Sequence, residues 1–118
     1  MDLELLLVSQ FERDRDLAGI GRELHRQVSL AREVGFDGVG VSEHHATTDH
    51  QYLLNEAVLA HLADAVGDMR LTSALCLLPY HNPVRIAEFG ATVDLLTEGQ
   101  FRLGVGLGYR GTEYDVFG

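Results

Sequence analysis

Gly35-Phe36-Asp37-Gly38-Val39-Gly40-Val41-Ser42-Glu43-His44-His45 decides how the rest of this chain is read. Two glycines bracket Phe36-Asp37, a short apolar run follows, and the run ends in a carboxylate and two imidazoles. Upstream, Ile20, Leu24, Val28, Ala31 and Val34 recur at helical spacing until Gly35 stops the pattern. A helix therefore hands the chain to a buried strand over Phe36 to Ser42, the succession of a parallel α/β unit. In such folds ligands and catalytic groups gather at the carboxyl ends of the strands. Glu43, His44 and His45 occupy that place, and imidazole is the side chain that titrates nearest neutrality. The segment reads as the edge of an active site.

The same alternation extends in both directions. Leu3 to Val8 is an apolar run broken only by Glu4, a strand buried on both faces, and polar Phe11 to Gly19 reads as a loop. His45 to Asn55 is a long polar loop, and Glu56 to Val66 a helix through Val58, Leu59, Leu62 and Val66. Leu71 to Leu78 is a third strand, ended by Pro79. Asn82-Pro83 starts a helix, with Asn as cap and Pro in its first turn, that runs to about Leu96. Gly99 supplies the left-handed exit, and Phe101 to Val105 is a fourth strand trailed by Gly106, Gly108 and Gly111. Strand and helix alternate three times before that last strand, which predicts parallel strands joined by right-handed crossovers. An eight-stranded (β/α)8 barrel takes roughly 250 residues. Residues 1–118 are therefore expected to form one unit: the N-terminal half of a barrel, with its first four strands and three helices, cut after the fourth strand.

Composition narrows the function. Eighteen acidic residues face nine basic ones, all arginine, for a net charge of −9. A surface this acidic repels nucleic-acid phosphates, and no basic stripe offsets it. The lone cysteine, Cys76, lies in an apolar run, which excludes a disulfide framework and points to a reducing compartment. The start lacks a basic n-region and no apolar run is long enough to span a bilayer. The expectation is a soluble, cytoplasmic protein without nucleic-acid or membrane partners.

His44 and His45 are adjacent on extended backbone, so their side chains point to opposite sides. One faces the mouth of the barrel and the other packs or hydrogen-bonds behind it. A metal site built from Glu43, His44, His45, Asp49 and His50 is the rival chemistry. Adjacent imidazoles diverge where zinc needs ligands that converge, so no metal is expected. Gly106-Leu107-Gly108-Tyr109-Arg110-Gly111 formally matches G-x-G-x-x-G, but that fingerprint belongs on the first strand of a unit with a helix behind it. Gly104, Gly106 and Gly108 read instead as a strand end bare of side chains, against which a flat ligand can lie, or as bends at a barrel corner. Arg110, Glu113 and Tyr114 beyond them either position a ligand or are solvated. Cys76 reads as a core residue, His25 and His61 as inert helix residues, and His81, on the same mouth as His44, as a secondary candidate.

Taken together these pieces resemble the luciferase-like monooxygenase family, the flavin- or deazaflavin-dependent barrels that include bacterial luciferase. The resemblance is carried by Gly35-Phe36-Asp37-Gly38-Val39 leading to Glu43-His44-His45, by Leu78-Pro79 and by Asn82-Pro83-Val84-Arg85-Ile86-Ala87-Glu88. It continues through Gly99-Gln100-Phe101-Arg102-Leu103-Gly104-Val105-Gly106-Leu107-Gly108-Tyr109 and Asp115-Val116-Phe117-Gly118. It implies a TIM barrel with the cofactor at the carboxyl ends of its strands, and a homodimer built on the second and third helices. His44 matches the family histidine beside the isoalloxazine ring, where it serves in proton transfer. Ala74-Leu75 matches a site that often carries a non-prolyl cis peptide under the ring, and Gly106 a position facing the ring. Leu107 stands where many flavin members have an arginine near the cofactor phosphate, which weakens the case for FMN and leaves F-420 open.

The function this implies is oxygenation of a small organic substrate with reduced FMN and oxygen. His44 would be the acid–base group, held in orientation by Glu43 or His45. Gly104, Gly106 and Gly108 would leave room for the ring, and a separate flavin reductase is an expected partner beside the substrate. Two alternatives stand. One is hydride transfer with the deazaflavin F-420, the other a flavin-binding or interaction half-barrel without turnover.

Overall fold

In the computed structural model, which describes residues 1–118, the elements follow the alternation just read, with two additions. They are β1 (Glu4–Leu7), β2 (Gln10–Glu12), α1 (Ile20–Glu33), β3 (Gly38–Val41), β4 (His50–Tyr52), α2 (Asn55–Leu62) and β5 (Arg70–Leu77). A 3-10 turn (Leu78–Tyr80), α3 (Pro83–Leu96), β6 (Phe101–Gly106) and α4 (Gly111–Phe117) complete the chain. Strands β1, β3, β5 and β6 lie side by side in that order, every pair parallel. The expected four strands and three connecting helices are present.

The helix boundaries have local causes. Leu24, Val28 and Ala31 form the buried stripe of α1, and Gly35 leaves it at φ 89°. For α3, the Asn82 Oδ1 accepts from the backbone N–H of Val84 at 2.9 Å and of Arg85 at 3.4 Å, ahead of Pro83 in the first turn. Such a cap satisfies donors the helix itself leaves unpaired.

The two faces of the sheet differ. One packs under the helices: Leu7, Val39, Val41 and Leu71 meet Leu24, Val28, Leu59, Leu62 and Val93 in a single core. Leu59, Leu62 and Leu71 are fully buried, and each such side chain contributes about 1.5–3 kcal/mol. The opposite face carries Glu4, Leu6, Gly38, Gly40, Arg70, Thr72 and Ala74. A Cβ added at Gly38 would meet the Arg70 carbonyl at 2.9 Å, and one at Gly40 would meet the Ala74 Cβ at 3.2 Å. Close approach of β5 therefore demands a bare position at Gly38. At the amino-terminal end of this face the Glu4 carboxylate accepts from Arg70 Nε and Thr72 Oγ1, both at 2.9 Å, and from Arg102 Nη1 at 3.4 Å. Its carboxyl ends converge on the segment Ser42 to His45.

The two additions fall where loops were expected. Strands β2 and β4 form a short antiparallel ribbon, Gln10 opposite Tyr52 and Glu12 opposite His50. It is held by side chains: Gln51 Nε2 donates to the carbonyls of Glu12, Arg13 and Arg15, and Tyr52 Oη to Gln10 Oε1. The second addition is α4, past the glycines. No helix is long and apolar enough to cross a membrane.

Candidate active site

Where β3 ends, Ser42 and Ser9 hydroxyls meet at 3.3 Å, and the Asn55 amide donates to the Val41 carbonyl at 2.8 Å. These contacts anchor the strand end between the start of α2 and the segment after β1, and fix the direction in which the next three residues leave. His44 and His45 diverge, as extended backbone requires, and each meets a different carboxylate.

His44 Nδ1 lies 3.1 Å from Glu113 Oε1, which also accepts the backbone N–H of His45 at 2.9 Å. Glu113 sits on α4 and is fully buried, while its Oε2 has no partner. An acceptor-only carboxylate on Nδ1 places the imidazole proton there and leaves Nε2 with a free lone pair. His44 stands edge-on to the rings of Tyr52 and Tyr109, at 5.1 and 6.0 Å between centroids. Its side chain is 18% exposed, so Nε2 can meet a ligand without being freely solvated.

Behind it lies a second cluster. Glu43, with its side chain 1% exposed, receives Nε2 of both His45 and His81 on Oε1, each at 2.5 Å, and the Leu77 N–H on Oε2 at 2.7 Å. Burial alone pushes the Glu43 carboxyl up. The hydrogen bonds from His45, the Leu77 N–H and His81 outweigh it and hold the group below the usual carboxylate range. His45 packs edge-on to Phe117, and Tyr80 stacks on the same ring at 4.9 Å. Cys76 is buried, and its thiol is pushed up to about 12 by burial and by the neighbouring Glu43 and Glu56. Without a bound cation it is a core thiol and not a nucleophile, as its apolar run suggested.

The residues read as orienting His44 need one correction: neither Glu43 nor His45 touches its ring nitrogens. Glu43 belongs to His45 and His81, and Glu113 holds His44. Sequence alone left Glu113 between ligand contact and solvation. The usable signal was positional, because loops leaving the carboxyl ends of one parallel sheet converge, and an acid after the fourth strand can face imidazoles after the second. His81 joins the site it was placed near. Asp49 and His50 stay apart from Glu43: the side chains that do converge with it are His45, His81 and, beyond the expected set, the thiol of Cys76. His25 and His61 lie with tilted rings 4.4 Å apart between α1 and α2, each bonding a backbone carbonyl, and take no part in these clusters.

The glycine-rich strand end has its own geometry. The Ala74–Leu75 peptide is cis, and the β5–β6 register shifts between Ser73 and Cys76. A Cβ at Gly104 would fall 2.3 Å from the Ser73 carbonyl, and one at Gly106 would fall 2.9 Å from Leu75 Cδ1. Gly108, at φ 80°, would meet the Tyr80 hydroxyl at 3.0 Å. Protein neighbours therefore require bare positions at Gly104 and Gly108, whatever else lies against them. Leu75 and Leu107 remain 48% and 73% exposed, an apolar shelf at the carboxyl ends of β5 and β6.

Comparison with known proteins agrees with this arrangement. The sequence profile described as luciferase-like monooxygenase matches residues 1–118. The alkanal monooxygenase alpha chain of Photorhabdus laumondii is 33% identical over 93% of this chain and 29% of its own length. Two solved structures share the fold. The oxygenating constituent of 3,6-diketocamphane monooxygenase from Pseudomonas putida, in complex with FMN, superposes with a TM-score of 0.87 at 21% identity, over 100% of this chain and 33% of its own. The coenzyme F-420-dependent tetrahydromethanopterin reductase from Methanopyrus kandleri gives a TM-score of 0.76 at 17% identity, over 98% and 29%. The chain thus spans about a third of the length of the relatives it matches, and its four parallel strands are those of a TIM-barrel portion. It belongs to the luciferase-like monooxygenase family.

Proposed function

We propose that this chain contributes the proton-transfer side of a flavin-dependent monooxygenase that oxygenates a small organic substrate with reduced FMN and oxygen. The observation that carries the reading is the pair His44–Glu113: a half-buried imidazole at the carboxyl end of β3 with Nδ1 tied to a buried carboxylate. The shelf fits a flat heteroaromatic ring. Leu75 lies exposed over the bare positions Gly104 and Gly106, and Ala74 and Leu107 extend it. When bound, the reduced cofactor supplies the electrons and the reaction with oxygen. His44 Nε2 takes up or returns a proton at the edge of that shelf, and Glu113 fixes its tautomer and steadies the cation that forms. The Glu43–His45–His81 cluster holds the strand ends together behind it. A homodimer through α2 and α3 and a separate flavin reductase complete this reading.

A second reading is hydride transfer with F-420. It is favoured by Leu107, whose apolar side chain offers a cofactor phosphate nothing, and by the F-420-dependent enzyme among the structural relatives. The absorption spectrum of cofactor retained by the full-length protein separates the two. An FMN spectrum with oxygen consumption in the presence of a reductase supports the first, whereas retention of F-420 without oxygen consumption overturns it in favour of the second. Retention of neither would sink both.

A further inference from the structure

The cluster behind His44 is arranged for more than hydrogen bonding. Glu43 Oε2 is anchored by the Leu77 N–H, and Oε1 faces Nε2 of His45 and of His81, each at 2.5 Å. The Cys76 sulfur completes the group: the ligand atoms of Glu43, Cys76 and His81 all lie within 4.8 Å of one another. Behind His81, the other ring nitrogen stands 3.5 Å from Glu56 Oε1, and Glu56 Oε2 is buried without a partner. A carboxylate set behind an imidazole in this way orients metal-bound histidines and fixes their tautomer.

We propose that Glu43, Cys76 and His81 supply the three protein ligands of a tetrahedral zinc site beneath the active-site edge, its fourth position taken by water, with Glu56 orienting His81 and His45 holding Glu43. Donor chemistry selects the ion. One imidazole, one thiolate and one carboxylate suit Zn2+, whereas Mg2+ and Ca2+ take oxygen ligands. Charge balances as well, because one carboxylate and one thiolate neutralise a divalent ion in a site where an uncompensated charge would be costly. Zinc bonds of 2.0–2.3 Å set ligand atoms about 3.3–3.7 Å apart. From 2.5 Å, the His81 imidazole therefore retreats from Glu43 by about 1 Å, within the reach of side-chain rotation. On binding, the S–H bond of Cys76 breaks, its proton leaves to solvent and a Zn–S bond forms. His81 coordinates through Nε2 with its proton on Nδ1, toward Glu56. This ligand set departs from the sequence expectation of no metal, and it shares only Glu43 with the group weighed there. His44 stays outside it and remains free for proton transfer.

The test uses the full chain stripped of metal and titrated with cobalt, followed by X-ray absorption of the zinc-loaded protein. One equivalent of Co2+ should give the intense visible bands of a tetrahedral site together with a thiolate-to-cobalt band. That band can come only from Cys76, the chain's one cysteine, and should vanish in Cys76→Ser. The zinc edge should show one sulfur at about 2.3 Å with nitrogen and oxygen near 2.0–2.1 Å. Glu56→Gln should weaken zinc binding by roughly 10–100-fold while keeping the cobalt spectrum. An octahedral cobalt spectrum, a zinc shell without sulfur, or a thiolate band that survives Cys76→Ser would each overturn the site. Should Cys76→Ser fail to fold, the wild-type absorption edge decides alone.

Discussion

His44 draws its orientation from a carboxylate 69 positions away, and that separation explains both its utility and its poor visibility in the sequence. Replacing His44 by Ala in the full-length enzyme should lower turnover by roughly two to four orders of magnitude, the range for an acid–base group, with cofactor affinity nearly intact. The partner admits a finer test. Glu113→Gln keeps the shape but removes the charge, and it puts an amide where Oε2 has no partner. Turnover should fall about 10–100-fold, as for other groups that orient a reacting imidazole, while cofactor titration stays within about twofold. Equal losses from His25→Ala, or normal turnover in Glu113→Gln, would remove His44–Glu113 from the mechanism. Glycine offers a contrast on the same scale. A methyl group at Gly104 would meet the Ser73 carbonyl at 2.3 Å, whereas at Gly111 nothing lies within 4 Å. Gly104→Ala should cost about 1–3 kcal/mol by overpacking. Gly111→Ala, at the first residue of α4, should be neutral or slightly stabilising. Thermal melts of the two variants, run side by side, decide it.

Among the elements, Glu43 ties the end of β3 to the end of β5 and to the turn before α3, through Leu77, His45 and His81. Its folded pKa is depressed. The stability this adds is therefore present above the unfolded carboxyl value of about 4.3, and it is lost as pH falls through the lower folded value. Urea midpoints of wild type and Glu43→Gln should differ most near neutrality and converge at acid pH. A difference that grew on acidification would mean the carboxylate is not held by these donors.

The large elements were legible because each carries a period or a punctuation mark. Leu24, Val28 and Ala31 marked α1, Asn82-Pro83 marked the start of α3, and Gly35 and Gly99 marked exits that the backbone takes at φ 89° and 87°. The β2–β4 ribbon has no such mark. Three residues a strand show no alternation to detect, Phe11 is its one buried residue, and its hydrogen bonds run from the Gln51 and Tyr52 side chains. Glu113 was hidden for a related reason: in a short helix after a glycine run, an acid looks solvated until the neighbouring strand end is placed against it. The motif Glu43-His44-His45 was visible as a place for chemistry, but which carboxylate serves which imidazole depends on contacts across the sheet.

At the scale of the whole molecule, one balance decides how the 118-residue chain behaves by itself. Its sheet has two unpaired edges, β1 and β6, with parallel neighbours on one side only. Parallel sheets are buried on both faces in stable domains, and free edges invite pairing. The chain leaves Leu6 and Val8 on or beyond β1 exposed by 55% and 62%, and Val105 and Leu107 at the other edge by 46% and 73%. Covering even a few of these side chains would contribute about 1.5–3 kcal/mol each. Against association stands a net charge of −9, but its long-range repulsion is screened within about 10 Å at 0.1 M salt. Burial should win. The isolated chain is expected to sediment as a dimer or larger species at micromolar concentration, to associate more strongly as salt rises, and to hold flavin poorly. Sedimentation at low and high salt, with a flavin titration alongside, measures all three. A monomer at every concentration that unfolds cooperatively and binds FMN in the micromolar range would show that the four-stranded sheet is sufficient by itself, and that its edges need no partner.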